Sequence, residues 1–548
     1  MKKAKLLFCA ALLLLAGALV FGTGSRQPTT LESTRSNTLQ LLWSPIDLLT
    51  FPWTGAHQVM VDMLYDTLLL LDPSGNPTVM RLAESYTVSP DGRTYTFTIR
   101  NNIKWHDGTP FTTEDIVWSA KTVLKIPRNL NGTIMAKFNN IRGMTDYVAG
   151  NASDVSGITS TARTVTFTLN DPDFTFLTGV ALFAPLPKHL LGDIDPLNLA
   201  TNRYWETNSV GTGMYRLESF VPGAYIRLRM NDDYYGEKPK IPFVQVTLAS
   251  GEAGNAQTLG GGVDFMYSNT SDVAHIRTME ATGYYVYKPM EVNYVRFLMV
   301  NLTGQGRDNN SGNTKIMDTR VRQALVYALD LQRICDTLYL GGALPTYSNF
   351  NRSSQYYDSR YNQYSYDPDK ARQLLRDAGW DFNDKIVLAA HQGGNYDVVL
   401  VIASYWEAIG LTVETNFMPG GTDATQWVYS EKPYDFNVMQ IAMGVNMEGL
   451  TSLLSTNSYG NALRANYTNV EAWDRAYAAF IAAPDVNARK AAASEIQRLE
   501  EQYMPWIPLF LVPQWTGYNR RLNLNFPDFF YQESFPFYRG IEKWTLSN

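Results

Sequence analysis

The stretch Ile386-Val387-Leu388-Ala389, followed by Val398 to Ile409, Gly410 and Leu411-Thr412-Val413-Glu414, reads as strand, helix, turn and strand. The flanking runs are short and rich in β-branched residues, which suits strands. The middle run is long enough for three helical turns, and Gly410 stands where a helix ends. Such a β-α-β unit puts this half of the chain in the α/β class.

The same pattern continues outward. Phe436-Asn437-Val438-Met439 adds a strand downstream. Upstream, Asp367-Pro368 opens a helix with Ala371, Leu374, Leu375 and Ala378 inward, and Gly379 closes it. Pro just inside a start and Gly just past an end is the usual helix asymmetry. Asp318 caps another helix, with Val321, Ala324, Leu325, Ala328 and Leu329 on one face. Two helices, around 470–483 and 488–503, precede the apolar, Pro-interrupted run Pro505-Trp506-Ile507-Pro508-Leu509-Phe510.

The N-terminal half reads as strands with fewer helices. Leu39 to Trp43 is a short strand, and His57 to Leu71 a helix leading into a strand. Tyr95, Phe97 and Ile99 alternate with Thr94, Thr96 and Thr98, the period of a half-buried strand. Asp107-Gly108 is a turn, and Thr112 with Asp115 forms a capping box for a helix through Ile116, Ala120 and Val123. Val165 to Leu169 is a further strand. Strand, helix, turn and strand recur between Val244 and Met266.

At the extreme N-terminus, Lys2, Lys3 and Lys5 precede an uncharged run from Leu6 to Phe21, and small residues follow. Basic, apolar and small in that order is a secretory signal. Cleavage is expected after Ala18 or Gly24. Ala18 stands where a lipoprotein signal would carry Cys, so no lipid anchor is expected. Removing three Lys makes the chain more acidic than its formal −6, which argues against nucleic acid as a partner. Cys9 leaves with the signal, so Cys335 has no intramolecular disulfide partner. With 45% hydrophobic residues in 548, the chain can bury a large core divided into two or three domains.

Five stretches in order resemble one family. They are Trp105-His106-Asp107-Gly108-Thr109-Pro110-Phe111-Thr112-Thr113-Glu114-Asp115, Val210-Gly211-Thr212-Gly213-Met214-Tyr215, Asp318-Thr319-Arg320-Val321-Arg322-Gln323-Ala324-Leu325, Tyr366 to Leu375 with Ala378-Gly379-Trp380, and Ile507-Pro508-Leu509-Phe510. In this order they resemble the family-5 extracytoplasmic solute-binding proteins of ABC importers, the oligopeptide, dipeptide, nickel and cellobiose type. The resemblance implies a two-lobed type II periplasmic-binding-protein clamshell with an inserted third domain. After a signal peptide at 1–24, domain I would comprise 25–70, 205–300 and 505–548. Domain II would be 71–204, and domain III 301–504. Ligand would be enclosed between domains I and III, which close about crossovers at Val295–Asn301 and Pro505–Phe510. A periplasmic or extracytoplasmic monomer that serves membrane permease subunits is the corresponding expectation.

Nothing local marks an enzyme. The 5 His are scattered and none forms a ligand pair at helical spacing. Trp105-His106-Asp107-Gly108 reads as a structural turn, and Gly260-Gly261-Gly262 precedes a strand, not the helix an anion-binding turn needs. A secreted glycoside hydrolase would require two carboxylates flanking a sugar, and no motif singles out a pair among 52 acids. No catalysis, metal or cofactor is expected.

Ligand type is read from departures. The family's peptide binders hold the ligand's amino terminus with an Asp after a domain III strand. Here the resemblance aligns Gly444 with that Asp, and an ammonium buried there without a carboxylate would cost several kcal/mol. Aromatics form 13% of the chain, and their flat faces suit a concave site. Trp53 stands where relatives contact ligand, with a packed core Trp as the alternative. Trp53, Asn437, Gln440, Gly444 and Asn446 are therefore the expected ligand-binding residues. Aromatic and amide groups together favour an oligosaccharide over a peptide.

Overall fold

Three sheets carry the architecture. The computed structural model describes residues 34–43, 45–46, 51–53, 63–70, 79–126, 132–266, 273–302, 314–350, 354–361, 363–391, 395–420, 422, 426–443, 447, 454, 469–525 and 540–547. Ser36–Asn548 forms one compact unit. The signal segment, both cleavage sites and most of the expected 57–71 helix lie outside the described residues.

The first sheet has four strands, in the order Thr38–Trp43, Phe243–Leu248, Tyr225–Met230, Tyr215–Val221. Thr38–Trp43 runs parallel to Phe243–Leu248, and the other pairings are antiparallel. The N-terminal strand thus completes a sheet built from the middle of the chain. The C-terminal segment closes the same layer. Arg521 forms a bidentate ion pair with the buried Asp264, and Trp544 packs on Phe265 at 5.2 Å.

The second sheet is wholly antiparallel, in the order Ala83–Val88, Thr94–Ile99, Thr164–Thr168, Ile158–Ser160. Tyr95, Phe97 and Ile99 turn inward as their alternation requires and share a core with Ile116, Ala120 and Val123 of the helix Thr113–Val123. The capping box forms: the Thr112 amide donates to the Asp115 carboxylate at 2.8 Å.

Between these two sheets the Trp105 and Val210 motifs meet. Gly108, at φ +89°, turns the chain. His106 Nδ1 then accepts from the Gly211 amide at 3.1 Å, while Nε2 donates to the Gly213 carbonyl at 3.0 Å. A Cβ on Gly211 would stand 1.8 Å from the Leu64 carbonyl oxygen, so only glycine fits this crossing.

The third sheet has six strands, in the order Leu344–Pro345, Trp506–Asn519, Tyr285–Val300, Phe436–Met443, Lys385–Ala390, Thr412–Phe417. Lys385–Ala390 is parallel to both neighbours, and the helix Tyr396–Ala408 connects it to Thr412–Phe417, as the β-α-β reading requires. Helices Thr319–Tyr327, Pro368–Asp377 and Tyr396–Ala408 cover one face, over Leu298, Val300, Ile386, Leu388, Phe436 and Val438. Helices Val470–Ile481 and Val486–Tyr503 cover the other, over Val295, Phe297, Met299, Ala389 and Met439. Side chains N-cap three of the helices, with Asp318, Asp367 and Asp485 accepting from backbone amides.

Two strands are longer than the sequence suggests. Tyr285–Val300 and Trp506–Asn519 pair antiparallel from Tyr285↔Asn519 to Met299↔Trp506. The stretches expected to cross between lobes, Val295–Asn301 and Pro505–Phe510, lie within or at the edge of the six-stranded sheet. The ladder shifts register twice, between Arg296 and Phe297 opposite Phe510 and Pro508, and between Pro289 and Asn293 opposite Trp515 and Pro513. Proline has no N–H to donate, so two prolines there interrupt the pairing. Beyond the break, Phe265 bridges Tyr518 on one side and Leu41 on the other, linking the first and third sheets. Val263-Asp264-Phe265-Met266 is this isolated bridge, not a full strand.

Candidate functional site

In open α/β sheets, ligands settle beyond the carboxyl ends of the strands. Here that edge is formed by His391, which follows Lys385–Ala390, and by the far end of Phe436–Met443. Asn437, His391 and Asn395 meet beside it, whereas Arg296 lies on the opposite face of the sheet from Asn437.

Asn437 is fully buried. Its Nδ2 donates to His391 Nδ1 at 3.3 Å, while its Oδ1 has no hydrogen-bond partner. Burial holds the His391 imidazole below its ordinary pKa, which keeps it neutral and able to accept. Asn395, at the start of the Tyr396–Ala408 helix, donates from Nδ2 to the Val438 carbonyl at 3.3 Å. Its Oδ1 is likewise buried and unpaired. Buried acceptors left open are uncommon in folded proteins.

Across the ladder from Gln440 stands Arg296. It is 7% exposed, and Nε and Nη1 of its guanidinium have no partner. Tyr339 hydrogen-bonds it through the phenol, and the Tyr339 ring packs 5.3 Å from that of Phe510.

The expected site residues separate. Asn437 and Gln440 share a strand but face opposite sides, since they are three residues apart and side chains alternate. Gly444 and Asn446 lie outside the described residues. Trp53 is fully buried, stacked on Phe183 at 5.4 Å and edge-on to Phe51, with its indole N–H donating to the Ala184 carbonyl at 2.7 Å. It ties the N-terminal segment to the 176–186 layer and offers a ligand no surface, which matches the core alternative. Arg296, His391 and Asn395 escape a reading by motif. One signal for Arg296 was present: it is a cation within the apolar run Val295 to Val300.

Among the described residues no group of three or more His, Cys, Asp or Glu is placed to hold a metal, and no helix is long and apolar enough to cross a membrane. Cys335 is buried and free.

Comparison with known proteins places these features in context. Residues 78–462 match the family model for bacterial extracellular solute-binding proteins, family 5. A Brucella ovis protein with the provisional name ABC transporter peptide-binding protein is 30% identical over 361 residues, covering 66% of this chain and 63% of that protein. The dipeptide-binding protein of Escherichia coli is 26% identical over 334 residues, 58% of each chain. The chain thus matches less than two thirds of the length of these relatives. Among solved structures, Bacillus subtilis AppA with a nonapeptide superimposes at a TM-score of 0.70 with 21% identity, covering 94% of this chain and all of that one. Campylobacter jejuni NikZ with Ni(L-His) does so at 0.74 with 21% identity, covering 93% and 100%. At such identities the likeness shows the fold, the type II periplasmic-binding-protein architecture, and two very different ligands share it.

Proposed function

This chain belongs to the bacterial extracellular solute-binding proteins of family 5, and we propose that it is the substrate-binding protein of an ABC importer, taking up a peptide outside the cytoplasm. The peptide would pass unchanged to permease subunits in the membrane. The observation that carries a binding role is the pair of buried, unpaired acceptors beside His391, Asn395 Oδ1 and Asn437 Oδ1. A folded chain tolerates such groups where a ligand supplies the missing partners. Peptide is preferred because the relatives named above are peptide binders. Gly444 in place of an acid, with the aromatic and amide groups, points in the sequence to an oligosaccharide, and the relatives named above do not support that choice.

The proposed working plan is the three-domain clamshell, with domain I built on the first sheet, the insert on the second and domain III on the third. Closure would turn on the break in the two long strands near Pro289 and Pro513. Thermal-shift and calorimetric titration with short peptides and with di- and oligosaccharides tests the ligand class. A ligand at 100 times its dissociation constant stabilises by about 2.7 kcal/mol. Binding of sugars with no response to peptides would restore the oligosaccharide reading.

A further inference from the structure

Along one face of Tyr285–Val300 the residues run Val300, Leu298, Arg296 and Tyr294. The first two sit in the core under the Thr319–Tyr327 and Tyr396–Ala408 helices. Arg296 is where that core stops, on the side toward the ladder break and the first sheet. It remains 7% exposed. Among the described residues no Asp or Glu forms an ion pair with it, although ion pairs are frequent elsewhere in the chain. Its Nε and Nη1 have no hydrogen-bond partner.

A buried guanidinium without a counter-charge is costly. An arginine side chain keeps its charge near physiological pH, so loss of a proton does not relieve the cost. The flanking groups do not neutralise it either. Tyr339 supplies a neutral phenol oxygen and Gln440, opposite on Phe436–Met443, a neutral amide, while the exposed Asp397 acts on the Tyr339 phenol without forming an ion pair with Arg296. What is missing is a planar anion that accepts two parallel N–H bonds, which describes a carboxylate.

Resting on the peptide reading above, we propose that Arg296 is a specificity-determining residue that receives a carboxylate of the bound peptide, with Tyr339 and Gln440 flanking the pair. That carboxylate has two possible sources, the peptide's C-terminus or an Asp or Glu side chain. The selectivity follows from the burial. A neutral ligand would leave the charge unpaired, so acidic peptides gain what neutral ones cannot.

The test uses the full chain and three synthetic tetrapeptide libraries: one free of Asp and Glu with free C-termini, the same peptides C-terminally amidated, and amidated peptides carrying one Asp or Glu. Retention is read by equilibrium dialysis and mass spectrometry for wild type, Arg296→Gln and Arg296→Lys. Retention of free-acid over amidated neutral peptides supports the C-terminus as source, and retention of acidic amides over neutral amides supports a side chain. In either case Arg296→Gln should weaken binding of the retained class roughly 100-fold, as expected when one partner of a buried, hydrogen-bonded charge pair is removed, and Arg296→Lys less. Equal retention of acidic and neutral amidated peptides and of free acids overturns the role of Arg296 while peptide binding stands. So does a Gln variant with the wild-type preference. Retention of no peptide by wild type overturns the peptide reading itself, and the assignment with it. If Arg296→Gln does not fold, the wild-type comparison of acids with amides and the Lys variant decide.

Discussion

The Phe174 amide donates a hydrogen bond to the Ile481 carbonyl at 2.9 Å. The first residue belongs to the layer around the second sheet, and the second ends a helix on the third. The turn that carries Phe174 is held from beneath. Lys137 and Asp173, both 3% exposed in their side chains, pair at 2.8 Å, and Asp173 also accepts from the Thr175 hydroxyl and amide. Tyr477 and Arg489, from the two helices opposite, act electrostatically on Lys137. A braced turn meets a helix end, as a closing contact between lobes would.

Ligand should therefore slow hydrogen exchange at the Phe174 amide. Exchange followed by mass spectrometry over residues 172–178, with and without a saturating peptide, measures it. The same rate in both states would remove this contact from any closing motion.

His106 is expected to stay neutral well below the usual histidine range. Burial pushes its pKa down to about 4, against weaker opposing hydrogen bonds to backbone carbonyls. An unfolded histidine protonates near 6.5. Between about 4 and 6.5 the unfolded chain binds the proton and the native one does not, so this group's contribution to stability is lost as pH falls through that window. The loss is about 1–3 kcal/mol. A histidine NMR titration should show His106 silent above pH 5; a midpoint near 6.5 would contradict the buried, doubly bonded ring.

Glu500 acts with the opposite sign. Burial raises its carboxyl to about 7, although Asn349, Ser348 and the Trp506 indole all donate to it. The native state keeps a proton that the unfolded chain releases near 4.5, so stability falls as pH rises from about 4.5 to 7. The two slopes oppose each other between 4.5 and 6.5, so each must be isolated. Glu500→Gln should flatten the decline by about 1–3 kcal/mol, measured by denaturant unfolding at pH 5 and pH 8. An unchanged pH dependence would count against a protonated Glu500.

Trp53→Ala should cost about 3–5 kcal/mol of stability, the usual penalty for emptying a packed aromatic site, while peptide affinity of the folded fraction stays near wild type. Paired calorimetric and unfolding measurements check both. Lost affinity with intact stability would return Trp53 to the ligand wall.

Local chemistry made much of the fold legible. The helices after Asp318 and Asp367 and the strands around Phe97 and Leu388 follow from caps, turn residues and apolar spacing, each confined to a few neighbours. The α/β class and the family landmarks were readable for the same reason. The alternation that identified Phe436–Met443 as a strand also put Asn437 and Gln440 on opposite faces, a consequence visible in the sequence as soon as the strand was accepted.

Long-range pairing decided the rest. Burial is driven by removal of apolar area from water and has no preferred partner, so the sequence around Trp53 could not say whether its ring meets ligand or Phe183. The run of apolar residues likewise does not show where the register of two strands distant in sequence shifts, at Arg296 and again at Pro289. Arg296 stands opposite Gln440 only because of the register of two strands far apart in sequence. What the sequence alone determined is each element and its caps. Which charges are left buried and unpaired depends on what packs against them, and only the tertiary structure decides that.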